Sequence, residues 1–142
     1  FLPSNTSSPG AILGPGKASA FPGVYSVAFS KSASSPATAN DADMKQFLSD
    51  LKQYGNYKDT PAFPHCVWSY ISGATLEQAF EKMTSPTRDD FMKALRSISD
   101  FKAPLMLDGT AVNTTEDGQP AVSSVVVQKY NGKGYDTVSS FG

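Results

Sequence analysis

The sequence predicts an α/β fold, with three helices between strands and a β-hairpin at the C-terminal end. Apolar residues recur at helical spacing in residues 41–54 and 87–99, whereas large and small residues alternate over 23–30. The pair Asn131-Gly132 separates two runs of strand-forming residues, which is typical of a hairpin turn. The 142 residues amount to about one domain.

Composition and charge exclude two classes of function. Lys and Arg total 12, Asp and Glu total 13, and no basic run exists, so we expect no nucleic-acid partner. The apolar runs are a few residues long, against about 20 for a bilayer-spanning helix. The chain begins at Phe1 with no basic region before an apolar stretch, so its start is not a signal peptide. Either a leader has been removed or the chain is a piece of a longer protein.

The first forty residues predict one strand between irregular segments. Residues 1–20 are rich in Pro, Gly and Ser and predict a loop. In residues 23–30, Tyr25, Val27 and Phe29 share one face, which predicts a strand with one large apolar side. The Ser, Ala and Pro residues of 31–40 predict a linker.

Three helices are predicted next. The first covers 41–54, capped by Asn40 or Asp41 and stopped by Gly55 in the left-handed conformation. Its buried stripe is Met44, Phe47, Leu48 and Leu51.

The second helix covers about 65–82 and is apolar nearly all round in its first half. It is therefore expected to be buried on several sides or to touch another element closely at Gly73. The third covers 87–99, with Thr87 and Asp90 as a capping box. Its buried stripe is Phe91, Leu95 and Ile98.

The last third of the chain predicts β structure. The expected elements are a short strand at 105–107, turns at 108–109 and 117–118, a strand at 122–130, a hairpin turn at 131–134 and a return strand at 135–139.

No catalytic constellation is visible, so we expect no enzyme, no metal and no cofactor. His65 is the only histidine and adjoins Cys66, but neighbours at a helix start point about 100° apart, which disfavours a dyad. One His and one Cys are also too few for zinc. His65 is then either a polar residue at a helix start or a ligand contact, and Cys66 is a small buried or half-buried residue.

The order of these elements carries a family resemblance. The stretches 87–95 and 117–133 carry it best, with Phe101, Pro104-Leu105 and Tyr70 ten residues before Phe80. Over about residues 20–135 the chain resembles the C-terminal part of type I periplasmic binding proteins, the branched-chain amino-acid group of solute receptors of ABC transporters.

The resemblance implies a fragment of a two-lobed fold in which three crossovers join the lobes, and a receptor well over twice this length. Residues 1–28 would be the tail of the C-terminal lobe, 30–117 the last segment of the N-terminal lobe, and 120–142 strands returning to the C-terminal lobe. The second and third crossovers would lie near Val24–Ser30 and Gln119–Ser124.

The implied function is extracytoplasmic, periplasmic or at the cell surface. The receptor would capture a small polar ligand, such as an amino acid or an organic acid, by hinge closure and deliver it to an ABC permease. The full-length protein could carry a lipid anchor. The alternatives are a sensory ligand-binding domain of a signalling receptor and a stand-alone structural or interaction domain.

The resemblance also implies ligand-binding residues at two places. One is the loop with Ser4 and Asn5, where Ser4 replaces the carboxylate common in amino-acid binders and so weakens the case for an α-amino acid. The other is the start of the second helix, with His65 and Cys66 as alternatives for one position. Trp68 and Tyr70 follow one turn on, where helix packing is the competing role.

We further expect the isolated chain to self-associate. A chain taken from two lobes would leave the strands 24–29 and 125–127 with unpaired edges. The helices of residues 44–51 and 91–98 would have lost part of the sheet they cover, and the linker 31–40 could exchange elements between chains.

Overall fold

The computed structural model describes residues 22–33, 35–55, 64–132 and 134–141, and its mixture of helices and strands confirms the predicted α/β class. The predicted loop over 1–20, which includes Ser4 and Asn5, lies outside these residues. The elements in chain order are β1 (Tyr25–Ala28), a 3₁₀ turn (Pro36–Thr38), α1 (Ala42–Tyr54), α2 (Pro64–Glu81), α3 (Arg88–Leu95), β2 (Val125–Tyr130) and β3 (Tyr135–Phe141).

The described strands form one antiparallel sheet in the order β1-β2-β3. β1 pairs with β2 from Tyr25 opposite Lys129 to Ala28 opposite Val126. β2 pairs with β3 across the predicted hairpin turn, which the Asn131 N–H closes by donating to the Gly134 carbonyl at 3.0 Å. The prediction of an open edge at residues 125–127 is therefore wrong, because β2 is the central strand.

The buried face of β1 is not the predicted one. Ser26 is 4% exposed, whereas Tyr25 is 37% exposed. The pairing explains the difference: Ser26 lies opposite Gln128, on the same face of the sheet as the buried Val126 and Tyr130. Tyr25 is left on the other face, where the Lys129 ammonium lies 5.5 Å from the centre of its ring.

The predicted strand at 105–107 is also absent. Met106 makes only an isolated bridge to Ser30, and Leu105 has a φ of 67°, which no regular strand contains. The turns predicted at 108–109 and 117–118 are present, with Gly109 and Gly118 at positive φ.

α1 begins and ends differently from the prediction. The Asp41 side chain makes no cap hydrogen bond and instead pairs with Lys31 at 2.8 Å. Gly55 has a φ of −86°, so it is not left-handed. Glycine is needed there because a Cβ at Gly55 would lie 2.6 Å from the Leu51 carbonyl oxygen.

α3 begins as predicted but ends earlier. The Thr87 hydroxyl accepts from the Asp90 N–H at 3.2 Å. The Asp90 carboxylate does not return the bond; it accepts from the N–H groups of Thr84 and Ser85 instead. The helix stops at Leu95, whose carbonyl accepts from the Thr114 hydroxyl.

The core lies among α1, α2 and the segment that follows α3. Phe47 and Leu105 are fully buried, and Ile98 is 1% exposed. The other buried members of the core cluster are Met44, Val67, Ile71, Ala79, Ala103, Met106 and Val112. Burying a large aliphatic or aromatic side chain stabilises a fold by about 1.5–3 kcal/mol, so this cluster holds the helices together.

Two glycines should respond in opposite ways to alanine. Gly55→Ala should lower the free energy of unfolding by about 1–3 kcal/mol, because its Cβ meets a backbone carbonyl. Gly73→Ala should raise it by about 0.5–1 kcal/mol, because Gly73 lies inside α2 with nothing within 4 Å of its Cβ position. The close contact predicted at Gly73 is thus wrong. Urea denaturation of both variants measures the two signs, and equal effects would contradict this account.

Candidate functional site

The start of α2 brings two of the predicted site residues together. The helix begins at Pro64, whose missing N–H would have had no partner within the helix in any case. His65 is exposed, and its ring meets the Trp68 ring edge-on with centroids 5.0 Å apart. The two side chains therefore form one aromatic surface on the first turn of the helix.

Trp68 also contacts Phe29 and Ser30, the two residues that follow β1. Its ring stacks on Phe29 with centroids 5.9 Å apart. Its indole N–H donates to the Ser30 hydroxyl at 3.2 Å. Phe29 and Ser30 were not predicted as site residues, because in the sequence they belong to an alternating pattern that indicates only a strand. We call Phe29, His65 and Trp68 the aromatic cluster.

A groove of about 560 Å³ opens beside the aromatic cluster. Its walls come from Phe29, from α2 and α3, and from the segment 112–122. The lining residues from the two helices are Trp68, Ile71, Ser72, Thr75, Leu76, Met92 and Leu95, and Arg96, directly after α3, also lines the groove. The volume is within the range of small-molecule sites, roughly 300–1,000 Å³.

The polar groups of the groove are mostly engaged elsewhere. The hydroxyls of Ser72 and Thr75 donate to carbonyls of their own helix at 2.9 and 2.8 Å. The Arg96 guanidinium is exposed and lies 3.7 Å from the Asp117 carboxylate at the rim. The groove is therefore an apolar recess with charge only at its mouth, and it suits the apolar body of a small molecule.

Tyr70 does not belong to this site. Its hydroxyl donates to the Asp50 carboxylate on α1 at 2.7 Å, and its ring meets Phe47 edge-on at 5.2 Å. The hydrogen bond to Asp50, followed by burial, raises the pKa of Tyr70 to about 12. These contacts link α1 to α2, which is the helix-packing role that the sequence analysis left open.

Cys66 is half-buried and packs against the core cluster. His65, the other residue considered for the ligand contact at the start of α2, has its ring against Trp68. Ser4 and Asn5 lie outside the described residues. The groove residues on α3 and in 112–122 were missed because their side chains converge only in the folded chain.

Comparison of the chain with protein-family models, with curated proteins and with solved structures gives no match. In the part of the chain that the structure describes, no three His, Cys, Asp or Glu side chains group as metal ligands. Among those same residues, no helix has the length and apolar character that crossing a bilayer requires.

The Tyr70–Asp50 bond generates a prediction on stability and pH. Tyr70→Phe should lower the free energy of unfolding by about 1 kcal/mol near pH 7. The folded state raises the pKa of the phenol, so the contribution is complete below about pH 10 and is lost as the pH rises through about 12.

Tyr54→Phe is the matched control, since Tyr54 is the last residue of α1 and is 77% exposed. It should change stability by less than about 0.5 kcal/mol. Urea denaturation and phenol absorbance against pH give the two readouts. Equal behaviour of both variants would show that the bond does not contribute.

Proposed function

We propose that the chain is part of an extracytoplasmic receptor that captures a small polar ligand, such as an amino acid or organic acid, for an ABC importer. One observation carries the proposal: β1 and β2 are direct neighbours, with Tyr25 opposite Lys129, although α1, α2 and α3 lie between them in the chain. A chain that leaves one lobe and returns to it through two adjacent crossovers has this topology.

The predicted crossovers coincide with the borders between sheet and helices. β1 ends at Ala28, inside the predicted crossover at 24–30, and β2 begins at Val125, just after the predicted crossover at 119–124. Phe29 and Val122, one from each crossover, line the same groove. This agreement supports the proposed division into 1–28 and 120–142 for one lobe and 30–117 for the other.

The proposed mechanism is hinge closure without bond chemistry. The start of α2 offers backbone N–H groups and a partial positive charge to an anionic group of the ligand. His65 and Trp68 cover the apolar part, and a second lobe completes the cleft. Burial between two lobes then supplies affinity, and the closed form is presented to the permease.

Two alternatives remain as proposals. The same fold could control a signalling protein, in which case a regulator or kinase gene should neighbour this one in place of permease and ATPase genes. A stand-alone interaction domain is favoured by one observation: the described residues bury a core of their own, with Phe47 and Leu105 at 0% exposure.

Ligand binding tests the receptor proposal. The 142-residue chain alone should release no measurable heat on titration with amino acids and small organic acids, because it lacks one wall of the cleft. The protein as its gene encodes it should bind a member of the same panel. Trp68 is the only tryptophan, so its fluorescence should change on binding.

Trp68→Phe is the control for the fluorescence signal, since it keeps an aromatic ring on Phe29 and removes the indole. Micromolar binding by the 142 residues alone would overturn the fragment proposal. Absence of binding by the gene-encoded protein to every member of the panel would overturn the receptor proposal.

Self-association is a separate expectation for the isolated chain. Leu76 and Phe80 on α2 are 43% and 60% exposed, and Phe80 meets Phe91 of α3 at 5.3 Å. Leu76, Phe80 and Phe91 form an apolar strip that adjoins the groove at Leu76. Proteins seldom leave large apolar patches exposed to water. Sedimentation should therefore detect a dimer or larger species that dissociates on dilution.

The double variant Leu76→Lys with Phe80→Lys should shift the chain toward monomer. Ser49→Lys with Gln53→Lys adds the same charge at exposed positions of α1 and should not. A wild-type chain that stays monomeric at all concentrations and melts cooperatively would instead favour the stand-alone domain.

A further inference from the structure

A closed ring of hydrogen bonds joins Lys31, directly after the proposed crossover at 24–30, to the helical part of the chain. The Lys31 backbone N–H donates to the Leu105 carbonyl at 2.8 Å. The Leu105 N–H donates to the Asp43 carboxylate at 2.8 Å, and the Lys31 ammonium donates to both oxygens of the same carboxylate at 3.0 Å. We call Lys31, Asp43 and Leu105 the hydrogen-bonded ring.

Asp43 is the member that the rest of the ring needs. Its second oxygen also accepts from the Met44 N–H at 2.9 Å, so the carboxylate is fixed at the start of α1. Leu105 is fully buried and has a φ of 67°, a conformation that a leucine rarely adopts. Without Asp43, the buried N–H of Leu105 would lose its partner in a strained segment.

The charges of the ring favour the same arrangement. Burial alone would raise the pKa of Asp43, but the hydrogen bonds from Lys31 and from the Leu105 N–H outweigh it and hold the pKa below its usual value. Burial would likewise lower the pKa of Lys31, yet the bonds to Asp41 and Asp43 leave it raised. Both groups are therefore charged in the folded chain at neutral pH.

The hydrogen-bonded ring lies directly beside the aromatic cluster. Phe29 precedes Lys31 by two residues, and its carbonyl accepts from the Leu107 N–H at 3.0 Å and from the Thr110 hydroxyl at 2.9 Å. Ser30, which receives the Trp68 indole N–H, lies between Phe29 and the ring. The ring is therefore connected to the aromatic cluster through Phe29 and Ser30, the two residues that precede Lys31.

We infer that Asp43 is a positioning residue for the aromatic cluster: through Leu105 and Lys31 it holds the proposed crossover at 24–30 so that Phe29 and Ser30 stay against Trp68. The inference rests on the proposed function only in taking that cluster as part of a ligand site. Asp43 itself touches neither Trp68 nor the groove. In a receptor, the crossover would move with the helical lobe, and bending would fall on the β1 side of Phe29.

Asp43→Asn tests the inference, with Asp41→Asn as the matched control. Both substitutions remove one carboxylate that pairs with Lys31, but only Asp43 accepts from Leu105. An asparagine has one neutral oxygen where the carboxylate uses two charged ones, and its NH2 group would face an N–H donor and the Lys31 ammonium. In either orientation of the amide, the Leu105 N–H loses its charged acceptor.

Two readouts on the folded variants separate positioning from general stability. In Asp43→Asn, hydrogen exchange at the Leu105 amide should accelerate by about tenfold or more, as expected for the loss of a hydrogen bond to a charged group. Trp68 emission should move to longer wavelength, and acrylamide should quench it more strongly. In Asp41→Asn, both readouts should match the wild type.

If Asp43→Asn does not fold, Lys31→Met opens the hydrogen-bonded ring at its ammonium link and should shift Trp68 emission in the same direction. Lys102→Met, which removes an exposed pair with Asp100, is its control and should leave the emission unchanged. Trp68 emission and Leu105 exchange identical to the controls would overturn the positioning role. These measurements use no ligand, so their failure leaves the receptor proposal standing, and a failed ligand screen leaves them valid.

Discussion

The antiparallel pairing of β1 with β2 is the constraint on which the rest of the structure depends. It joins Tyr25 to Lys129 and so closes a loop that contains α1, α2 and α3. Closing a long loop costs conformational entropy that grows only slowly with its length. The cost is offset where the loop buries apolar surface of its own, as it does around Phe47 and Ile98.

Both ends of that loop are held by specific polar contacts. At the first, Lys31, Asp43 and Leu105 bond in a ring; at the second, the Asn113 N–H donates to the Ala121 carbonyl at 2.8 Å. In the proposed receptor, these contacts would hold both crossovers against the helical part of the chain, and bending would fall between β1 and Phe29. That rigidity is what a hinged receptor needs beside its ligand site, and it is equally compatible with a rigid stand-alone domain.

The candidate site depends on residues far apart in the chain. Trp68 stacks on Phe29 and donates its indole N–H to Ser30, which lies 38 residues earlier in the chain. α3 and the segment 112–122 also line the groove. The family resemblance points to His65, Trp68 and Tyr70 alike, because the three share the first turns of α2. All three belong to one helix turn and the next, and only their neighbours distinguish a groove residue from a packing residue.

Local chemistry by itself determined the three helices, the strands at both ends and the hairpin, because apolar spacing, the Thr87 cap and the Asn131-Gly132 turn act within a few residues. Tertiary structure decided what depends on distant partners. Ser26 is buried because of the register with β2. Leu105 leaves the predicted strand because the Asp43 carboxylate, 62 residues earlier, binds its N–H.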